Sequence, residues 1–364
     1  MKLLTVLGTR PEIIRMSEII RLLDRYCAQT FVFTGQNYQD ELSGLFFREL
    51  DVREPDVHLN IAEPSFATQV GMILDGVDKQ IEAVRPDRML LLGDTNSALC
   101  AVVAARRGVP VYHLEAGNRC YDDRVPEEVN RRIIDHCSAV LLPYTERSKD
   151  NLVREGIARD RIFVVGNPIF EVLQKHDARI EASDALRRLG LRAQSYFLAT
   201  VHRAENVDEP ERLRGIFDGF DRVARAHGMP VVVSVHPRTA LRLNQNGATY
   251  DPERVRLSEP FGFFDFVALE KAARAVLSDS GTVQEECAIF RVPNLTVRDT
   301  TERPETIEAG SNLIVGADPD LIESGMAFLL KSSNSWTPPA EYLTPNVSQT
   351  VARIVLGRRL VRGA

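Results

Sequence analysis

Residues 2–23, KLLTVLGTRPEIIRMSEIIRLL, read as one strand, turn and helix. The apolar run at 2–8 has the length and continuity of a strand buried on both faces. Gly8 turns the backbone, and Pro11 sits where a first helical turn tolerates it. Ile13, Ile14, Ile19, Ile20 and Leu23 then form a helical stripe.

Working outward, the same alternation continues. Strands are expected at 30–34, 87–93, 109–114, 138–142 and 161–165, with helices over 38–49, 66–84, 96–107, 127–137 and 145–155. The pattern restarts near residue 195, with strands at 196–201, 230–235, 274–278 and 293–297 and helices over 208–227, 262–272, 282–289 and 318–331. Between the halves, 166–194 loses apolar character after Gly166-Asn167-Pro168, which places the domain boundary there. A proline-rich stretch at 336–345 precedes a last amphipathic helix at about 346–357. Repeated βα alternation means parallel sheets covered on both faces. The fold class is therefore α/β, with two Rossmann-like, doubly wound domains and an interdomain cleft.

Composition agrees. A chain of 364 residues exceeds the size at which single cores stop growing. Its 44% hydrophobic and 26% charged residues exclude disorder. The net charge of -6 argues against non-specific nucleic-acid binding, so an anionic ligand must be held by local cations or helix N-termini. The five cysteines form no CxxC pair, which removes a zinc knuckle or dithiol site and leaves reduced thiols as the simple reading. No apolar run is long enough to span a bilayer, and the N-terminal one is too short for a signal segment. The expectation is a cytoplasmic protein with no membrane or nucleic-acid partner.

In open α/β sheets, ligands sit beyond the carboxyl ends of strands. Gly8-Thr9-Arg10-Pro11-Glu12 is such a place, where a turn and a helix N-terminus suit a phosphate and Arg10 adds a permanent charge, with Arg15 one turn on. Neither GxGxxG nor a P-loop occurs, so dinucleotide and nucleoside-triphosphate sites have no support. Asp94 follows the most apolar strand, though an aspartate there serves equally to cap the next helix. Glu115, in His113-Leu114-Glu115-Ala116-Gly117, lies between a buried run and a tight turn, an odd place for a solvated carboxylate. Pro126-Glu127-Glu128-Val129-Asn130-Arg131 opens a helix with Glu127 and Arg131 on one face, which alone reads as a capped surface helix with an ion pair. His202, beside Arg203, and His236 end strands of the second half. Ser280, Gly281 and Thr282 form a helix N-terminus suited to a diphosphate, with Glu286 about one turn in. Arg298-Asp299-Thr300-Thr301-Glu302-Arg303-Pro304-Glu305 follows another strand.

GTRPE (8–12), GDT (93–95), EAG (115–117), PEEVNR (126–131), HR (202–203), DSGTVQEE (279–286) and RDTTERPE (298–305) together make the chain resemble the non-hydrolysing UDP-N-acetylglucosamine 2-epimerases over essentially its whole length. The resemblance implies a GT-B architecture whose C-terminal helix returns to the first domain. Domains then run 1–167 plus 345–364, and 168–344. It implies epimerisation at C2 of a UDP-linked 2-acetamido sugar for surface polysaccharide precursors, by elimination and re-addition of UDP through a 2-acetamidoglucal. It implies no cofactor or metal, and a homodimer. By motif position Asp94, Glu115 and Glu127 match the catalytic acids, and His202 the histidine at the leaving diphosphate. Arg10, Arg15, Arg131, His236 and Arg303 fall among substrate contacts, Ser280, Gly281 and Thr282 on the phosphate loop, Glu286 on the ribose and Phe266 beside the uracil.

The chain departs from the common pattern at Arg15, where lysine is more usual, and at Thr282, where a second glycine is common. Asn37 stands where many members have histidine, and the loop 117–125 differs in form. These features resemble the subgroup acting on modified UDP-sugars, such as 2,3-diacetamido uronic acids. A hydrolysing epimerase, a GT-B glycosyltransferase and a non-enzymatic nucleotide-sugar sensor remain alternatives.

Overall fold

The computed structural model describes residues 1–35, 40–246, 250–333 and 335–357, so Asn37 lies outside the described residues. The chain divides into two compact units, Met1–Gln174 with Glu341–Ala364, and Lys175–Ala340.

The first unit runs β1 (Lys2–Leu7), α1 (Arg10–Leu23), β2 (Ala28–Phe33), α2 (Asp40–Glu49), β3 (Val57–His58), α3 (Phe66–Val84), β4 (Arg88–Leu92), α4 (Ala101–Arg106), β5 (Val111–Leu114), α5 (Pro126–Cys137), β6 (Val140–Leu142) and α6 (Glu146–Arg154). Its strands are all parallel, in the order β3-β2-β1-β4-β5-β6. Leu4 and Val6 of β1 pack with Ile73, Val77 and Ile81 of α3 on one face. α7 (Ile169–Glu181) carries the chain onward.

The second unit continues with α8 (Ala185–Arg188), β7 (Phe197–Val201), α9 (Ala204–Val207), α10 (Pro210–His227), β8 (Val231–Val235), α11 (Pro237–Asn246), β9 (Val255–Ser258), α12 (Phe263–Ala272), β10 (Val276–Ser278), α13 (Gly281–Phe290), β11 (Asn294–Thr296), α14 (Pro304–Glu308), β12 (Asn312–Ile314) and α15 (Pro319–Lys331). The order β12-β11-β10-β7-β8-β9 is the same winding as the first sheet, again parallel. Alternate residues of β7 serve opposite layers. Phe197, Ala199 and Val201 pack with Phe217 and Phe220 of α10 and Met326 of α15, while Leu198 packs with Leu269 of α12 and Cys287 of α13.

The last helix, α16 (Val347–Leu356), belongs to the first unit. Its Ser348 gives its backbone N–H and hydroxyl to Glu171, at 2.8 and 2.5 Å. Arg88 donates to the carbonyls of Val355 and Gly357, closing the far end.

Several elements differ from the sequence reading. The run 161–165 forms no regular strand: it meets β6 through one bridge, Ile162 to Leu141, with the Phe163 and Val165 N–H groups donating to the Leu141 and Pro143 carbonyls, and Ile162 packs with Ala116, Leu152 and Ile157. The weak stretch after Pro168 holds α7 and α8, because the Asn167 side chain accepts the Ile169 N–H at 3.0 Å and starts a helix. Residues 96–107 form a 3-10 turn, Asn96–Cys100, before α4. The elements β3, β9, α11, α14 and β12 are additional.

Candidate functional site

Both sheets reverse winding direction at a single place: between β1 and β4, and between β7 and β10. The crevice beyond the carboxyl ends of such strands is where ligands enter this class of sheet. In the first unit those ends are Gly8-Thr9-Arg10 and Gly93-Asp94-Thr95, and in the second Val201-His202-Arg203 and Asp279-Ser280.

In the first unit the β1 turn is crowded. A Cβ on Gly8 would lie 1.9 Å from the Ser97 hydroxyl, so only glycine fits. Glu12 staples the two strand ends, accepting from the Gly8 N–H at 2.9 Å, the Thr9 hydroxyl at 2.8 Å and the Thr95 hydroxyl at 3.1 Å. Burial pushes its carboxyl up to about 7 despite those three donors. Arg10 lies over the Phe46 ring, 5.7 Å from its centroid, and has no carboxylate within ion-pair distance among the described residues. Burial lowers its pKa. A half-buried guanidinium in that state is ready for an anionic ligand.

Asp94 accepts from Arg131 Nε at 2.9 Å, and Arg131 also pairs with Glu128 at 2.9 Å. Arg131 is buried, so this face of α5 is not the capped surface helix that the motif suggests in isolation. Its N-cap, Val125, makes no side-chain capping bond. Glu128, fully buried, accepts the Cys120 and Tyr121 N–H groups, while Glu127 beside it is half-buried in the first turn. Glu115 sits in the left-handed region at φ 67°, a conformation that bulky residues hold only when their surroundings impose it. Arg15 donates to its carboxylate at 2.8 Å, Tyr144 at 3.2 Å and Asn118 at 3.2 Å. Arg15 also lies 5.9 Å from the Tyr144 ring centroid. The planar guanidinium thus both pairs and stacks, which the more usual lysine would do less well.

In the second unit Asp279 is the organising group. It accepts the His202 and Arg203 N–H groups at 3.0 and 2.9 Å and the Asn206 amide at 3.2 Å. Its carboxylate lies 3.1 Å from His202 Nδ1, and the His202 side chain is 42% exposed. Burial alone would raise the Asp279 carboxyl; His202, Arg203 and the N–H donors instead hold it at about 2. Ser280 caps α13 without a side-chain bond, leaving the helix start suited to an anion. A Cβ on Gly281 would meet a Glu302 oxygen at 2.8 Å, and Glu302 is itself paired with Arg298 at 2.8 Å. Arg303 is buried against Glu285, one helical turn into α13. His236 accepts the Arg238 N–H at 3.3 Å at the end of β8. Phe266 is half-buried on α12. Glu286 lies beside Glu270, whose carboxyl is raised by complete burial and then by the Glu286 charge.

The structure brings Asp94 to Arg131, Glu115 to Arg15, and His202 to the start of α13 through Asp279. Sequence reasoning passed over Glu12, Glu128, Tyr144 and Asp279 as site-building groups. Their signal was position: each stands within a few residues of a strand's carboxyl end or in the first turn behind Pro11 or Pro126. Among the described residues, no group of three or more His, Cys, Asp or Glu is placed to hold a metal ion, and no helix is long and apolar enough to cross a membrane.

A family model described as UDP-N-acetylglucosamine 2-epimerase matches residues 23–356. A UDP-N-acetylglucosamine 2-epimerase of Methanocaldococcus jannaschii is 39% identical over 347 residues, spanning 93% of this chain and 95% of the relative. A UDP-2,3-diacetamido-2,3-dideoxy-D-glucuronate 2-epimerase of Pseudomonas aeruginosa is 36% identical, over 88% of this chain and 90% of the relative. The crystal structure of the Methanocaldococcus jannaschii UDP-GlcNAc 2-epimerase in complex with UDP-GlcNAc and UDP superposes with a TM-score of 0.93 at 38% identity, covering 98% of this chain and 99% of that one.

Asp279 yields a stability prediction. Its carboxyl is depressed in the folded state, so its contribution is present above the ordinary aspartate value and is lost as pH falls through about 2. Asp279→Asn is expected to cost about 2 kcal/mol in urea unfolding at pH 7 and to flatten the loss of stability between about pH 4 and 2. A variant with unchanged stability and the same acid slope would contradict this role.

Proposed function

The chain belongs to the UDP-N-acetylglucosamine 2-epimerase family, and we propose that it inverts C2 of a UDP-linked 2-acetamido sugar by eliminating UDP and adding it back. The observation that carries the mechanism is the division of labour between two equivalent switch points: carboxylates held by arginines at one, and a histidine with a helix N-terminus at the other.

The chemistry demands such a division. The C2 proton has no adjacent carbonyl carbon and is weakly acidic, so C1–O cleavage must help its removal. In the forward half, a carboxylate takes the C2 proton, the C2–H pair becomes the C1=C2 bond, and the C1–O pair leaves with UDP. In the return half a proton reaches the opposite face of C2 and a diphosphate oxygen re-forms the bond to C1, with no net oxidation. Asp94, Glu115 and Glu127 supply the base, the acid and the negative field that favours a cationic C1. Arg15 and Arg131 hold two of those carboxylates in place. His202, aimed by Asp279, meets the leaving diphosphate, with Arg10 as a further cation. Ser280, Gly281 and Thr282 bind the diphosphate through the α13 N-terminus. Glu286 takes the ribose, Phe266 lies beside the uracil, and His236 and Arg303 complete the substrate contacts. The sugar is UDP-N-acetylglucosamine or a modified analogue such as a 2,3-diacetamido uronic acid, made for surface polysaccharide.

Proton NMR in D2O with UDP-N-acetylglucosamine and with the diacetamido glucuronate tests this. Deuterium is expected at C2 of a C2-inverted UDP-sugar. Asp94→Asn, Glu115→Gln and Glu127→Gln should each lower turnover about 100-fold or more while UDP binding stays within about threefold, and His202→Ala should slow glycal formation. Free sugar and UDP as products would point to hydrolysis, and near-normal turnover in the three acid variants would overturn the site. We also propose a cytoplasmic homodimer; light scattering should give about twice the chain mass of 40.8 kDa, and a monomer would refute it.

A further inference from the structure

We propose that His113 is a positioning residue for this reaction, a doubly protonated imidazole that locks the Asp94 turn to the Glu115 turn. The proposal rests on the reading of Asp94 and Glu115 above. His113 lies in β5, wholly buried, with no access to substrate. Its Nε2 is 2.8 Å from the carbonyl oxygen of Gly93, the residue before Asp94. Its Nδ1 is 2.8 Å from Asp135 Oδ1 on α5. Asp135 Oδ2 in turn accepts the Gly117 N–H at 3.2 Å and lies 2.8 Å from Arg119. Asp135 therefore grips both sides of Glu115, through the His113 ring and through Gly117, while the same ring grips the peptide that leads into Asp94.

The hydrogen bonds dictate the protonation state. A carbonyl oxygen only accepts, so Nε2 carries a proton. Asp135 pairs through Oδ2 with the permanently charged Arg119 and accepts the Gly117 N–H there, so it is an ionised carboxylate. An ionised carboxylate also only accepts, so Nδ1 carries a proton as well. Charge balance agrees. Arg119 forms two bonds to Glu155, at 2.8 and 2.7 Å. Arg119 is thus shared between Asp135 and Glu155, Glu155 also has His136 Nε2 at 3.7 Å, and the His113 cation gives Asp135 a partner of its own. Buried charges of this kind are tolerated when paired and hydrogen-bonded.

Neutron diffraction on deuterated crystals of the unaltered protein should show deuterons on both ring nitrogens. A ring with one deuteron would overturn the proposed cation. His113→Phe fills the space but donates nothing. It is expected to lower kcat for C2 exchange about 100-fold, with KM and UDP binding within about threefold. His113→Gln, which can still donate to the Gly93 carbonyl, should recover part of that loss. A folded His113→Phe variant with kcat within threefold of the parent would overturn the positioning role. Should Asp94→Asn and Glu115→Gln both keep full turnover, the acid assignment fails instead, while the neutron result still decides the state of His113.

Discussion

The reversal of strand order in a parallel sheet is the constraint on which this molecule depends. Strands that wind away from each other send their following turns apart, and the gap at their carboxyl ends cannot be filled by the fold itself. This chain makes that gap twice, at β1 and β4 and again at β7 and β10, with the same winding each time. Arg10 and Asp94 in the first unit, and His202 and Ser280 in the second, stand at those ends, while Glu115 follows the neighbouring strand β5.

What fills each gap differs, and the difference is electrostatic. In the first unit the buried carboxylates Glu12, Glu115 and Glu128 are each held by named donors, and Arg15 and Arg131 pair with the last two. In the second unit the buried carboxylate Asp279 binds N–H groups and orients a partly exposed histidine, beside the buried Glu285 and Glu302 that pair with Arg303 and Arg298. A carboxylate buried without partners would take up a proton; at Asp279 the donors outweigh burial and hold the carboxyl at about 2, whereas at Glu12 burial outweighs them and pushes it up to about 7. His113 and Asp135 extend the same logic beneath the surface, bonding the backbone at Gly93, next to Asp94, and at Gly117, two residues after Glu115.

Much of the fold was legible because β1, β4 and β7 are continuous apolar runs and α1, α3 and α10 carry clean stripes. The elements that escaped were short or ambiguous. β3, with two residues, and β12, with three, lie at sheet edges and give no run to read. α11, PRTALRLNQN, is mostly polar. The apolar RIFVV at 161–165 reads as a strand because it does run beside β6, though it makes one bridge and two further backbone bonds there and no ladder. Apolar character falls after Asn167-Pro168, yet a helix starts there, with the Asn167 side chain accepting the Ile169 N–H at the start of α7. The motifs single out Asp94, Glu115, Glu127 and His202, and the groups that hold Asp94, Glu115 and His202 come from other segments: Arg15 is 100 residues from Glu115, and Asp279 is 77 from His202. Such pairings follow from strand order, which spacing along one chain does not reveal.

The central claim is that the bond between C1 and the diphosphate breaks and re-forms during inversion of C2. UDP-N-acetylglucosamine carrying oxygen-18 in the bridge between C1 and the β-phosphorus tests it directly, with the label followed by phosphorus NMR as C2 epimerises. The account predicts that the label moves into non-bridging β-phosphate positions, because free UDP can rotate before it adds back. Inversion at C2 with the label still wholly in the bridge would mean that UDP never departs, and would contradict the account.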